Sequence, residues 1–580
     1  MQASVEAQFD QTVHADIELF RSQVNDFLAG KLTDDEFRGF RLRRGVYGQR
    51  QAGVQMIRTK IPGGLATSAQ FDKLADIADK YAGGKGHLTT RQNMQFHFVP
   101  LARCADALTD LSTARLTTRE ACYNTVRNVT GDTLAGIAVD EVFDISPYVR
   151  QVAFAFLHKE LTDNMPRKFK ISFSGTPADT MVGGIHDLGF IAKIKDGQRG
   201  FKIVAAGGLG PLPSEAHVLD EFLPVERIVN RCEAVIRVFG QYGNRKNKHK
   251  ARLKFIVRER TWDWFKEQVE KEYADILANG GIEAPLEIPR DFGAHSIEPR
   301  KLNRVELPPV LGEPTPEYKR WLETNVKPQR QSGYVVVTAK VPQGNMVSSQ
   351  MRAAADLARK AGDGLVRVTI DQNLQFAWIP QDRLREVYAE LTKANLADSG
   401  ANEIDDVVTC PGAWSCNLGI TKTMNLGDAL SRQLKNYPDP LVRKLSIKAS
   451  GCPNSCGQHW LGDLGFFGNI RKFNGLEVPY YQMLVGGGPD REGMLKYGFT
   501  VNSIPAKSVP IAVQRVLDHY IANRQDGEHF RDYVLRFKIE TFRAMTADLA
   551  KPVELDPDLY MDWGDTEKFS LQLGRAECAA

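Results

Sequence analysis

The chain has 580 residues, 42% of them hydrophobic and 25% charged, with a net charge of +4. That length exceeds what one hydrophobic core usually organises, and the composition is that of a globular protein rather than a disordered or fibrous one. The small net charge gives no sign of nucleic acid, no stretch nears the ~18 apolar residues of a membrane span, and the N-terminus lacks a basic start leading into an apolar core. A cytoplasmic protein that binds neither nucleic acid nor membrane is expected.

Residues 1–45 read as an N-terminal helical segment. From Gly53, GVQMIRTKIPGGLATSAQFDKLADIADKYAGGKGHLTTRQNMQF runs as a β-branched strand, a Pro/Gly turn, an amphipathic helix and a second strand. The same order returns 280 residues later, without a gap, as GYVVVTAKVPQGNMVSSQMRAAADLARKAGDGLVRVTIDQNLQF from Gly333. At a shift of 276, PRKFKISFSGTPADT from Pro166 lies against VRKLSIKASGCPNSC from Val442, and DLGF at Asp187 matches DLGF at Asp463. AAGGLGP at Ala205 resembles VGGGPD at Val485. An ordered set of this kind marks internal duplication. The two halves join near the Pro- and Glu-rich stretch LPPVLGEPTPEY, 307–318.

The halves differ in their chemistry. Arg58, Arg91 and Lys170 become Thr338, Asp371 and Ser446, while Cys452 and Cys456 stand where the first half has Thr176 and Thr180. Pseudo-symmetric packing would bring the cations of one half and the thiols of the other around one shared site.

Eight cysteines in so long a chain do not resemble a disulfide scaffold. Cys104, Cys122, Cys232 and Cys578 are scattered and read as inert thiols. Cys410, Cys416, Cys452 and Cys456 fall within 47 residues, as Cys-x5-Cys followed by Cys-x3-Cys. Four thiolates suit either an iron–sulfur cubane or a tetrahedral zinc. The x5 spacing, with Pro and Gly around both pairs, favours a wide cluster loop over a short zinc knuckle, and zinc stays open as the second reading.

TCPGAWSC followed by SGCPNSCGQ resembles the signature of the sirohaem- and [4Fe–4S]-containing sulfite and nitrite reductase family, over roughly residues 35 to 545. The resemblance implies that Cys456 bridges cluster and sirohaem iron, with Asn454 beside the macrocycle. It implies an anion-binding set of Arg58, Arg127, Lys168 and Lys170, the last two on one face of a strand. HLTTRQNMQFH resembles the loop that binds the sirohaem carboxylates, which would place Thr89, Arg91 and Gln95 on the macrocycle. His97 would lie nearby; on a strand it otherwise reads as a core histidine, and it is not expected as an axial ligand. Family members often have Arg at the position of His87. In the basic run NRKNKHKARLK, Arg245 and Lys246 are the expected sirohaem contacts. Some sulfite reductases carry a Tyr–Cys crosslink whose cysteine would fall at Thr125, so none is expected here.

The implied fold is α+β: two pseudo-symmetric halves, each a ferredoxin-like subdomain plus a mixed α/β domain for sirohaem and cluster. After the N-terminal segment, the expected domains are 46–115 (ferredoxin-like), 116–306 (sirohaem and substrate), 307–325 (linker), 326–398 (ferredoxin-like), 399–555 (cluster and sirohaem) and 556–580 (a mobile or packing extension). The implied reaction is the six-electron reduction of sulfite to sulfide, with nitrite to ammonia as the alternative; the second lysine, Lys170, favours the dianion. No flavin or nicotinamide motif is present, so ferredoxin or a flavoprotein would supply electrons to a monomeric haemoprotein. A zinc-stabilised polyanion-binding protein is the distant alternative.

Overall fold

A computed structural model describes residues 4–281, 288, 307–491, 493–551 and 556–574. Each copy of the first repeat is built around an amphipathic helix. In Ser68–Tyr81 the Thr67 hydroxyl accepts from Gln70 N at 3.1 Å while Gln70 Oε1 accepts from Thr67 N at 3.0 Å, a reciprocal cap that satisfies two orphan donors. Its buried stripe, Phe71, Leu74, Ala75 and Ala78, repeats in Ser348–Ala361 as Met351, Ala354, Ala355 and Ala358. The two helices lie against one another and share one core with both neighbouring sheets.

Those sheets exchange strands. Val46–Gly48, Val54–Arg58, Met94–Pro100 and Lys85–Leu88 form four strands of one sheet, whose fifth is Asn345–Val347 from the second copy. Reciprocally, Leu65–Thr67 completes the sheet of Val326–Pro328, Tyr334–Ala339, Leu374–Pro380 and Leu365–Val368. The turn before each exchanged strand needs glycine. Gly64 (φ +72°) passes so near the other copy that a Cβ would sit 2.3 Å from Val368 O, and Gly344 (φ +70°) would place one 2.5 Å from Leu88 O. The halves therefore cannot be separated without opening both sheets.

The second repeat forms two mixed five-stranded sheets. In the first half Thr130–Gly131, Ile171–Ser174 and Leu188–Lys195 run parallel, followed by antiparallel Gln198–Ala205 and His217–Pro224. In the second half Val408–Thr409, Ile447–Ser450 and Leu464–Phe473 are parallel, with Leu476–Val485 and Phe499–Pro505 antiparallel. Each has its own core. The α+β architecture in two pseudo-symmetric halves is thus as expected.

Two stretches outside the repeats add to this fold. Pro316–Asn325, within the expected linker, is a helix capped by Thr315 that buries Trp321 completely. In the C-terminal extension, residues 556–574 pack on the second half, while Cys578 lies outside the described residues. Among the described residues, no helix is long and apolar enough to cross a membrane.

Candidate functional site

Both cysteine pairs follow the carboxyl ends of adjacent parallel strands, where open α/β sheets present their ligand sites. Cys410 directly follows Val408–Thr409, and Cys452 lies two residues beyond Ile447–Ser450. The loops cross with glycines between them: a Cβ on Gly451 would sit 2.6 Å from Gly412 Cα. Gly451 N donates to Cys410 Sγ at 3.3 Å, Ile420 N donates to Gly451 O at 2.7 Å and Ala413 N donates to Thr421 O at 2.9 Å. None of the seven described cysteines is in a disulfide.

Burial pushes the Cys410, Cys416 and Cys452 thiols up, Cys410 to about 12, and the charge of Cys456 adds to all three. The four sulfurs thus sense one another. Four neighbouring thiolates are the ligand set that a cubane takes, one at each iron corner.

Cys456 is exposed toward the other half, and its carbonyl accepts from Thr90 Oγ1 at 2.9 Å. Around it stand the cations. Lys170 is held well below the ordinary lysine value by burial and then by Arg252, Arg91 and Lys168, with Cys456 opposing. Arg91 is pulled down to about 9 by burial, with Arg127, Arg252 and Arg58 adding to the effect against Asp187. Its guanidinium donates to Ile171 O at 3.2 Å and also meets Asn128 O and His186 Nε2, but its Nε is buried without a partner. Arg58 and Arg127 converge on one carbonyl, Ala121 O, at 3.4 and 2.8 Å. With its amide oriented to satisfy both neighbours, Gln95 accepts from Arg58 Nε at 2.8 Å and donates to His97 Nε2 at 3.2 Å.

The remaining residues singled out in the sequence are placed as follows. Thr89 donates to Asn93 Oδ1 at 2.5 Å. His97 is buried 5.1 Å from the Trp414 ring of the cysteine loop, and burial holds it neutral. His87 is held down to about 4 by burial and meets Asn345 Oδ1 at 3.0 Å across the strand exchange. Asn454 is exposed beside the cysteines. Arg245 and Lys246 are exposed, Arg245 donating to Asn164 O at 2.9 Å.

Sequence reasoning passed over Arg252, six residues past Lys246. It donates to Asp187 at 2.8 and 3.2 Å, and the same carboxylate accepts from Lys170 N at 2.8 Å. Asp187 is fully buried. The DLGF repeat already marked it as a position that both halves need.

The recess therefore gathers at least five cations around a single buried carboxylate and opens on an exposed thiol. Such an imbalance is costly without a polyanionic occupant. A macrocycle bearing several carboxylates and a small oxyanion would supply it, and the donor set fits both.

Two family models match, each twice. Residues 47–114 and 327–394 match the nitrite/sulfite reductase ferredoxin-like half domain, and 122–277 and 400–552 match the nitrite and sulphite reductase 4Fe-4S domain. The chain is 27% identical over 501 residues to sulfite reductase [ferredoxin] 1 of Mycolicibacterium paratuberculosis, covering 85% of this chain and 84% of that one. It is 28% identical over 524 residues to the chloroplastic ferredoxin–nitrite reductase of Zea mays, covering 88% and 87%. The solved structure of Mycobacterium tuberculosis NirA protein superposes with a TM-score of 0.75 at 24% identity, over 91% of this chain and 95% of that chain.

Proposed function

The chain belongs to the nitrite and sulfite reductase family, and on that premise we propose that it reduces sulfite to sulfide with six electrons drawn one at a time from ferredoxin. Nitrite reduction to ammonia is the second reading, supported by relatives of both names at 27% and 28% identity. Both of those relatives are named as ferredoxin enzymes, which supports ferredoxin over a flavoprotein as donor. When bound, the [4Fe–4S] cluster and sirohaem supply one-electron storage and a metal face on which an oxyanion loses its oxygens.

Cys410, Cys416, Cys452 and Cys456 hold the cluster, and Cys456 faces the recess. Arg91, Thr89 and Gln95 serve the macrocycle's carboxylates from the first half, and Asn454 serves it from the cysteine turn. Arg245 and Lys246 sit at the rim. Arg58 and Arg127, aimed together at Ala121 O, hold the anion. Lys168 and Lys170 bind the same anion and release protons as its oxygens leave.

Lys170 is the observation that carries the reading. Burial, and then the charges of Arg252, Arg91 and Lys168, hold this amine well below the ordinary lysine value, and an arriving dianion opposes that shift. Steady-state rates on sulfite and nitrite with reduced methyl viologen test the choice. Lys170→Asn is expected to lower sulfite turnover more than nitrite turnover; equal losses would remove the preference. Purified protein should also carry roughly five irons per chain and a tetrapyrrole visible spectrum, with no zinc.

A further inference from the structure

The last described segment, 556–574, lies beyond the family models, which end at residue 552. It nevertheless packs on the loop that carries Cys416. The segment starts in a helical turn, Pro557–Tyr560, capped by Asp556. Tyr560 packs with Val478 and Tyr480. Asp562, only 1% exposed, accepts from Lys422 N at 2.7 Å, and the Lys422 side chain pairs with Asp565. Gly564 (φ +78°) runs close beside the Asn425 side chain, whose Nδ2 would lie 2.4 Å from a Cβ there. Trp563 Nε1 donates to Ala506 O at 2.9 Å, Leu571 N donates to Glu477 Oε2 at 2.7 Å, and Gly574 N donates to Asn417 O at 3.0 Å. The segment thus grips the loop at Asn417, next to Cys416, and again at Lys422.

The other side of the loop is held by the first half. Arg50 N donates to Ser415 O at 3.0 Å, Gln51 Nε2 to Trp414 O at 3.0 Å, and Asn417 Nδ2 to Gly48 O at 3.3 Å. Lys422 is one residue from Thr421, whose carbonyl accepts from Ala413 N between the two cysteines. Fixing the Lys422 amide therefore fixes the crossing of both cysteine loops. A buried carboxylate used on two backbone amides, Lys422 and Trp563, is an expensive anchor. Leu559, Tyr560 and Trp563 add apolar contact with the second half, and Asp562 supplies the polar anchor between them.

We propose that residues 556–574 are a strap that immobilises the Cys416 loop, with Asp562 its positioning residue, and that the strap sets how long the cluster is retained. This rests on the reading that the four cysteines hold a cluster. Its test uses the full-length, cluster-loaded protein, with Asp562→Ala, the near-isosteric Asp562→Asn, and Glu567→Gln on the exposed strap surface as control. Anaerobic iron release to excess ferrous chelator is followed alongside hydrogen exchange of peptides covering 411–425 and thermal unfolding. Asp562→Ala should release iron on the order of tenfold faster, the effect of losing the charge-assisted hydrogen bond to the Lys422 amide in the cysteine loop. Asp562→Asn should fall between it and the wild type, and Glu567→Gln should match the wild type. Exchange should rise in 411–425 alone. Iron release within twofold of wild type, or exchange rising throughout the chain with a lowered melting temperature, would overturn the strap's role and leave the cluster reading standing. A wild-type chain free of iron and sulfide would overturn both.

Discussion

The duplication has produced two recesses from one backbone plan, and only one has the equipment for redox chemistry. Arg91, Lys170, Cys452 and Cys456 surround the first; Asp371, Ser446, Thr176 and Thr180 are their counterparts. The second recess is a cavity of about 320 Å³ lined by Asp371, Ser446, Thr180 and Asp463, among others. Its lining is acidic: Asp371 pairs with Lys448 at 2.7 Å, and Asp463 accepts from Ser446 N and Oγ, both at 2.8 Å. In the first recess the counterpart of that last carboxylate, Asp187, anchors Arg252 and the Lys170 backbone, and the surrounding cations outnumber it. The shared aspartate builds the turn in both halves, and the residues around it decide whether a polyanion is wanted. An identical scaffold thus carries two electrostatic identities.

That contrast is broken most sharply at the thiol. Cys456→Ser should abolish activity by at least roughly a hundredfold and change both iron content and visible spectrum, while Thr180→Cys, its counterpart, should recruit no metal. Metal analysis of both variants checks this, and iron gained by Thr180→Cys would show the recesses to be closer than their charges suggest. Next in size, Lys170→Ser copies the second recess into the first and should cost about 2–4 kcal/mol of transition-state stabilisation, read as kcat/KM on sulfite. Asp371→Asn in the second recess should leave that value within about twofold.

The pH dependence follows from the same crowding. Lys170 is held below its ordinary value by burial and by its cationic neighbours, so an anion bound there raises its proton affinity. Anion binding should therefore take up protons and tighten as pH falls through Lys170's depressed value. Calorimetric titration with sulfite in two buffers of different ionisation enthalpy measures that uptake; none would mean that Lys170 is already charged. A smaller effect is expected from Arg50. It is half-buried and depressed by burial, and the neighbouring Cys416 charge acts against that. Arg50→Gln should make the cluster harder to reduce, by tens of millivolts against ~60 mV per tenfold in a one-electron couple, in an EPR-monitored redox titration.

Much of this was legible in the chain because repeats and thiol spacing are one-dimensional signals. The displaced matches at 280 and 276 residues located the two halves, and the substitutions between them located the charge contrast. Strand exchange was not legible. Leu65–Thr67 and Asn345–Val347 are three residues long, and periodicity says that a segment is extended without saying which edge it joins. The basic run was legible as a whole but not residue by residue. Arg245 and Lys246 come to lie at the surface, whereas Arg252 turns inward to Asp187, and that turn is set by packing. The tail was legible as a mobile or packing extension, but not the anchor within it, because a single carboxylate beside other charges reads as solvated.

The smallest effect is expected where the two copies meet through their helices. Arg352 donates to Asp76 and Asp79, each at 2.8 Å, and all three side chains are 44–49% exposed. Exposed pairs of this kind contribute about 0–1 kcal/mol, because solvent screens them and two long side chains lose freedom. Arg352→Ala should therefore move the melting temperature by about 2 °C at most. Gly344→Ala at the same seam meets Leu88 O head-on and forces a Cβ into left-handed backbone, a combination worth more than about 2 kcal/mol. Comparing the two melting curves separates charge from backbone fit as what joins the halves. A larger loss from Arg352→Ala than from Gly344→Ala would mean that the surface ion pairs hold the seam, and that the exchanged strands merely follow.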